Sequence, residues 1–444
     1  GAFLKSIWLQ TCAYLYTNKI KPTTLEWSCP GSMMEADINE LDKIYNSLCK
    51  LTPIVGAKTT LAYHQNAVTE AEAVCSYALS QNFGLNSNNM FLGIDVGGST
   101  SDILLLAKDS DNGNKATLYR ESSVRLAAGV FFNAVIKSDT FRQALLSFHE
   151  GHKTNVYVSN IKEILTEPSK APYFLNSIFD QLKTTEDYEE FYSSIDVNAK
   201  FVFTIPAYVT GMLLYYSGML IGKTIKAEHL ERVSRVDVLS FGKGGRLFHW
   251  LINSAGVRAT REYYADCLNA GVRLVVGKEL DVVYRDEIAE DNKAEVAKGL
   301  CDPKELEKKA FSSESDICGE SGVKYIMTNG APKELQAEDE LTGDYFANEM
   351  NNFDFSGIEN FEKFMNIFLD FVSVKTHLYP QADNALRSDL ADLPNRIASY
   401  ICNNDTEYRK ARNSEDGSFH YHQPLIIAEG VCFLDTLIKK VFDQ

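Results

Sequence analysis

The sequence predicts an α/β fold built from more than one domain, and three observations carry that expectation. Strand-like apolar runs, glycine turns and helix-spaced text follow one another repeatedly between residues 91 and 302. Two of those runs, "MFLGID" and "SDILLLAK", are joined by a tight Gly-Gly-Ser-Thr turn. A chain of 444 residues is also longer than one hydrophobic core usually grows.

The elements can be justified in order. "FLKSIWLQTCAYLYT" has apolar residues at helical spacing, "TTLEWSCP" reads as a short strand stopped by Pro30, and "MEADINELDKIYNSLCK" is an amphipathic helix with an acidic first turn. "AVTEAEAVCSYAL" starts a further helix, with Glu70 and Glu72 in its first turn. The hairpin around Gly97 follows, and "ATLYRESSV" reads as its third, antiparallel strand. Residues 130–235 are expected to be mostly helical. "RVDVLSFG" is a buried strand that stops at Gly242, and "RLFHWLINSA" after it has helix spacing. "VRLVVG" and "LDVVYRD" read as strands and "DNKAEVAKGLC" as a helix. From about Pro303 the text turns acidic, Phe- and Asn-rich and helix-like, so 1–90, 91–302 and 303–444 are the expected divisions.

Composition narrows the partners. Lys+Arg 44 against Asp+Glu 60 gives a formal net charge of −16, which repels nucleic acid and anionic membrane surfaces. Nine scattered cysteines, none in a CxxC pair, read as free thiols of a reducing compartment, and "GAFLKSIWLQ" lacks a signal-peptide pattern. A cytoplasmic location is the expectation. One segment, 201–222 ("FVFTIPAYVTGMLLYYSGMLIG"), is uncharged and long enough to span a membrane, but its tyrosines, Pro206, Gly211 and Gly218 suit a buried core helix equally well.

The chemistry concentrates in "DVGGSTSD". Backbone N–H groups bind phosphate, and glycines let a turn approach closely enough to present them. Gly97, Gly98, Ser99 and Thr100 supply such a turn, with the Ser99 and Thr100 hydroxyls as further donors. Asp95 and Asp102 would repel a phosphate unless a hard cation such as Mg²⁺ stood between them. The same text fits a plain Gly- and Ser-rich hairpin turn. A second glycine turn, Gly242-Lys243-Gly244-Gly245-Arg246, lies between a buried strand and a helix start.

Taken together, these stretches resemble the actin-like ATPase superfamily of actins, heat-shock chaperones of the DnaK type, bacterial actin homologues and sugar kinases. "LEWSCPGSMMEADINELDKIYNSL", "TEAEAVCSYAL", "GIDVGGSTSDILLL", "VRLAAGVFFNAVI", "VLSFGKGGRLFHWL" and "DNKAEVAKGLC" carry the resemblance over about residues 1–300, closest to the chaperone-like branch. It implies a ribonuclease H-like fold of mixed sheets flanked by helices, with ATP and Mg²⁺ as ligands. Thr100 and the Gly97–Ser99 backbone would hold the β- and γ-phosphates, and Asp95 and Asp102 the Mg²⁺ through water. Glu70, with Glu72 as the alternative, would orient or deprotonate the attacking water. Gly242, Lys243, Gly244 and Gly245 would pass along the adenosine, and Arg246 would stack on the purine.

The chain also departs from that family. Nothing before Glu70 resembles its first phosphate hairpin, and the sequence opens on Gly1 rather than Met, so the chain is expected to begin partway through the fold. Ala71 replaces a proline, and Ala127 and Ala128 replace paired glycines. If 201–222 crossed a membrane, the two glycine turns could not share one nucleotide, so the resemblance implies a core helix there. It implies an ATPase coupling nucleotide state to hinge motion, with a protein partner or self-association. An actin-like filament protein, a small-molecule kinase and a pseudo-ATPase scaffold are the competing functions. The histidine pairs His149/His152, beside Glu150, and His420/His422 lack a third metal ligand and are expected to serve surface or packing roles.

Overall fold

In the computed structural model the chain forms a mixed α/β protein, with mixed sheets flanked by helices, in two compact units. The structure describes residues 2–20, 24–29, 33, 35–50, 62–63, 68–80, 85–108, 116–135, 141, 143, 190–193, 199–285, 294–301, 307–308, 316–327, 330–341, 350–405, 408–409, 412–413 and 423–442. One unit comprises Gly1–Gly84 with Lys293–Leu306, the other Leu85–Asn292 with Glu307–Gln444.

The first unit contains helices α1 (Ala2–Thr17), α2 (Glu35–Lys50) and α3 (Glu70–Ser80). Two short parallel ladders accompany them, Thr24–Leu25 with Ala62–Tyr63 and Ser28–Cys29 with Val68–Thr69. Helix α3 starts where it does because Thr69 and Glu72 form a reciprocal capping box. The Glu72 amide donates to Thr69 Oγ1 and the Thr69 amide to Glu72 Oε2, each at 3.1 Å. The returning helix Glu295–Cys301 lies so close to α3 that a Cβ at Gly299 would fall 1.7 Å from the Ala73 carbonyl oxygen.

The second unit is organised on a six-stranded sheet of β1 (Asn89–Val96), β2 (Ser101–Lys108), β3 (Ala116–Val124), β4 (Arg235–Phe241), β5 (Asp281–Tyr284) and β6 (Glu307–Lys308). Its spatial order is β6-β3-β2-β1-β4-β5. The meander β1-β2-β3 is antiparallel, whereas β4 and β5 run parallel to β1 and β6 runs parallel to β3. Met90, Leu92, Ile94, Val96, Ile103 and Leu105 project from one face into the main core. The alternate residues Phe91, Gly93 and Asp95 take the other face, where Phe91 packs on Phe241 with ring centroids 6.4 Å apart.

The main core is built around α5 (Thr204–Ala227), which follows the short helix α4 (Gly129–Val135) in the described chain. Of the apolar segment 201–222, only Phe201 is not fully buried, so the whole stretch is core. Helix α6 (Arg246–Ala255) leads through Gly256 into α7 (Val257–Val276), which packs directly on α5. Gly218 and Gly271 permit that approach: a Cβ at Gly218 would lie 2.0 Å from Leu268 O, and one at Gly271 2.1 Å from Tyr215 O. The hydroxyl of Tyr263 on α7 donates to Ala207 O on α5 at 2.8 Å.

Two sequence expectations are corrected here. "VRLVVG" is the last turn and a half of α7, closed by left-handed Gly277, and not a strand. The hydrogen-bonded ladder of the preceding helix simply continues through it, and local β-branched preference loses to that continuation. The text after Pro303 is also not uniformly helical. After β6 it contains β7 (Asp316–Ile317), β8 (Lys324–Ile326), β9 (Pro332–Glu334), β10 (Glu340–Leu341) and β11 (Phe353–Asp354), in two small antiparallel sheets. These strands are two or three residues long, too short for a period-2 pattern to register.

Helices α8 (Glu359–Leu369), α9 (Ala382–Asp392), α10 (Pro394–Asn404) and α11 (Leu425–Phe442) follow. They complete the core rather than forming a separate one. Tyr208 on α5 donates to Gly430 O on α11 at 2.9 Å, and Tyr215 to Asn360 O on α8 at 2.9 Å. A π-helical turn, Asp370–Lys375, extends α8 and stacks Phe371 on Tyr263 at 4.0 Å.

Candidate functional site

The hairpin between β1 and β2 closes tightly, with the Gly97 amide donating to the Thr100 carbonyl at 2.9 Å. Gly98 and Ser99 form its exposed tip, whereas Gly97 and Thr100 are half-buried. The turn is fixed from below. The Ala128 amide donates to Gly97 O at 3.1 Å and the Gly129 amide to Gly98 O at 2.9 Å. Ser101, fully buried, donates from Oγ to Leu126 O at 2.5 Å. The Gly97, Gly98 and Thr100 carbonyls are thus occupied within the fold, which favours a turn whose remaining amides and hydroxyls face an anion.

Asp95 and Asp102 are directly paired across β1 and β2, which puts both on the sheet face opposite the main core. Asp95 is half-buried, and its Oδ1 would lie 2.1 Å from a Cβ placed on Gly242. The first carboxylate is thus seated against the second glycine turn. Asp102 is only 6% exposed. Burial pushes its carboxyl above the usual range, partly offset by the neighbouring Ser123 hydroxyl, and its Oδ1 receives no hydrogen bond from the described residues.

The second turn follows β4. Gly242 has φ +68° and ψ 171°, a conformation open almost only to glycine, and Lys243–Gly245 make one 3-10 turn before α6 begins at Arg246. Gly245, its N-cap, offers no side chain, so the first amides of α6 depend on other partners. At Gly244 a Cβ would lie 2.6 Å from Ala128 Cβ and 2.6 Å from Val96 O, so the two glycine turns and the 126–129 segment are packed backbone to backbone. Phe131 and Phe132 of α4 then pack on Trp250 of α6, at 5.8 and 6.1 Å, locking the helices beneath the turns. Lys243 and Arg246 are half-buried beside them.

The structure therefore gathers Asp95, Gly97, Gly98, Ser99, Thr100, Asp102 and the Gly242–Arg246 turn at one end of β1, β2 and β4. Glu70 and Glu72 belong to the first unit. Glu72 is consumed by the capping box and is buried, whereas Glu70 is half-buried at the first position of α3. Sequence reading missed Gly129. It took Ala127 and Ala128 as replacements for a paired glycine, yet Gly129 makes the close approach, since a Cβ there would fall 2.2 Å from Gly98 O. A glycine directly after two alanines was the available signal. Ser123, whose hydroxyl lies beside Asp102, had none.

Both sets of paired histidines, His149/His152 and His420/His422, lie outside the described residues. Among the described residues no cluster of three or more His, Cys, Asp or Glu side chains can hold a metal. Elsewhere in the second unit a shallow cavity of about 350 Å³ is lined by Tyr215, Ala270, Arg273, Leu274, Lys363, Asn366 and Ile367, and shares no residue with the glycine turns. No protein-family model and no curated protein sequence matches the chain.

Proposed function

We propose that the chain is an ATP-binding protein of actin-like fold, a Mg²⁺-dependent ATPase whose nucleotide state drives a hinge motion or partner binding. The observation that carries this reading is the seating of Asp95 against Gly242. Two glycine turns far apart in sequence converge on one carboxylate, and that is how a phosphate turn and an adenosine turn would share a nucleotide. The sheet order supports it: an antiparallel three-strand meander with two parallel strands added beside β1 is the arrangement of a ribonuclease H-like core.

The residues fit a hard cation. Asp102 keeps a buried oxygen that receives no hydrogen bond from the described residues, as a carboxylate facing a hydrated cation would. Asp95 and Asp102 would hold Mg²⁺ through water, and the ion would neutralise charge on the phosphate oxygens. The amides of Gly98 and Ser99 and the Thr100 hydroxyl would bind and orient the β- and γ-phosphates. Gly242–Gly245 would line the nucleoside, with Arg246 on the purine. Glu70, with Glu72 as the alternative, is the carboxylate that the sequence resemblance alone would cast as the base for the attacking water.

Thermal unfolding of the chain with millimolar ATP and Mg²⁺, beside Asp95→Ala, tests the proposal. A rise in the transition of the second unit for wild type, requiring Mg²⁺ and lost in Asp95→Ala, is expected. No shift with ATP, ADP or Mg²⁺ would overturn nucleotide binding. A shift without phosphate release would leave the fold as a nucleotide-responsive scaffold.

A further inference from the structure

Away from the glycine turns, two carboxyl groups meet inside the second unit. Glu320, in the loop after β7, and Glu429, on α11, are both fully buried. Glu320 is well supplied with donors. Its Oε1 accepts the Ser321 and Asn360 amides at 2.7 Å each, and its Oε2 the Phe361 amide at 2.9 Å. It therefore caps the N-terminus of α8, where the free amides and the helix dipole favour an ionised acid. Glu429 has no such support: neither of its oxygens receives a hydrogen bond from the described residues. Its polar neighbour is Glu320 itself.

An ionised carboxyl cannot stand beside another ionised carboxyl in an apolar interior with no cation to balance it. No lysine, arginine or histidine among the described residues pairs with either group. The remaining titratable groups that face the pair are Cys318 at the end of β7, Tyr208 and Tyr215 on α5, and Cys432 on α11. Burial raises all four, so each stays neutral. From α10, Arg396 faces Cys432 and donates to Thr436; from α9, Asp389 pairs with Lys440; neither reaches Glu429.

We propose that Glu320 and Glu429 share one proton, carried by Glu429 and donated to Glu320, and that this pair is a pH-sensitive latch fastening the last helix to α8 and the β7 loop. Loss of the proton places two charges in the core and detaches α11 from the Glu320 cap. Burial drives both groups upward; the bond from Glu429 and the three amides pull Glu320 back, while the Glu320 charge pushes Glu429 further up. The sign follows. The folded chain keeps a proton that the unfolded chain gives up above its ordinary value of 4.5. The latch is fully effective below that pH and weakens as pH rises toward the folded-state value.

Two measurements on the full chain test it. Infrared spectroscopy at pH 8 should show the carbonyl band of a buried, protonated carboxylic acid in wild type and not in Glu429→Gln. Denaturant unfolding across pH 5–9 should show the wild-type unfolding constant rising relative to that of Glu429→Gln by up to tenfold per pH unit. The glutamine keeps a donor toward Glu320 but has no proton to lose. Absence of the acid band in wild type, or identical pH slopes for the two proteins, would overturn the latch. If Glu429→Gln fails to fold, hydrogen exchange of α11 amides in wild type decides. Protection that falls with pH beyond the intrinsic exchange rate supports the proposal, and unchanged protection refutes it.

Discussion

Replacing Gly242 by alanine adds one carbon at the point where the two glycine turns meet. Two penalties are separable there. At φ +68° and ψ 171° a side chain costs about 1–3 kcal/mol in backbone strain alone. The new Cβ would also stand 2.1 Å from Asp95 Oδ1 and 2.8 Å from Val96 O, an overlap that a packed site relieves at about 1–3 kcal/mol. The sum, about 2–6 kcal/mol, is a large share of the 5–15 kcal/mol typical of a folded domain. Removing the Asp95 carboxylate should return part of the second penalty and none of the first. A double-mutant cycle of Gly242→Ala with Asp95→Ala should therefore show a coupling of about 1–2 kcal/mol. Urea unfolding followed by Trp250 fluorescence, with Trp8 and Trp27 changed to phenylalanine, reports the second unit alone, since these are the three tryptophans of the chain. A Gly242→Ala protein within about 0.5 kcal/mol of its parent, or additive effects in the cycle, would refute the proposed seating of Asp95 on this turn.

Three further outcomes follow from the same geometry. Asp102→Asn should be slightly more stable than wild type at neutral pH, because burial raises the folded-state pKa and its charged form is the costly one, yet it should lose the Mg²⁺-dependent response to ATP; calorimetric scans with and without Mg²⁺ check both. Asp237, only 4% exposed, is pushed up by burial but pulled below the ordinary range by bonds from Arg235, Asn89 and Arg285. Asp237→Ala should cost about 2 kcal/mol, a figure discounted because both arginines are about one-third exposed, and the wild-type contribution should fade as pH falls below about 3.8 in acid unfolding. Thr69→Ala removes one half of the capping box and should cost about 1 kcal/mol, seen as faster hydrogen exchange in the first turn of α3 with little change in the second unit.

What the sequence disclosed and what it hid divide along physical lines. The hairpin was legible because two apolar runs and a four-residue glycine turn leave one way to connect them, and β1 and β2 pair as that reading requires, with Asp95 opposite Asp102. The stop of β4 at Gly242 and the start of α6 were legible for the same reason, a buried strand ended by glycines. The Thr69–Glu72 capping box was not, since it rests on a backbone contact invisible in text. Gly129 and Ser123 were missed because their roles exist only once β3 lies beside β2 and the 126–129 segment folds under the turn. The Glu320–Glu429 pair was hidden for a stronger reason. Glu429 interrupts the apolar run Leu425–Leu434, but Glu320 lies in a polar stretch, and the two are brought together only by packing of segments more than a hundred residues apart.

The burial of α5 has a consequence for how the chain reaches its native state. Through Gly222 the helix is buried on every side, and elements that cover it come later in the sequence: α7 closes on Gly218, α8 on Tyr215, and α11 on Tyr208. During synthesis this segment leaves the ribosome long before its final cover exists. The nascent chain must carry a fully greasy helix while most of its shielding is still unmade, so the second unit cannot finish folding until its last helix has been translated. Truncation within α11 would leave the centre of the protein open rather than trimming its edge.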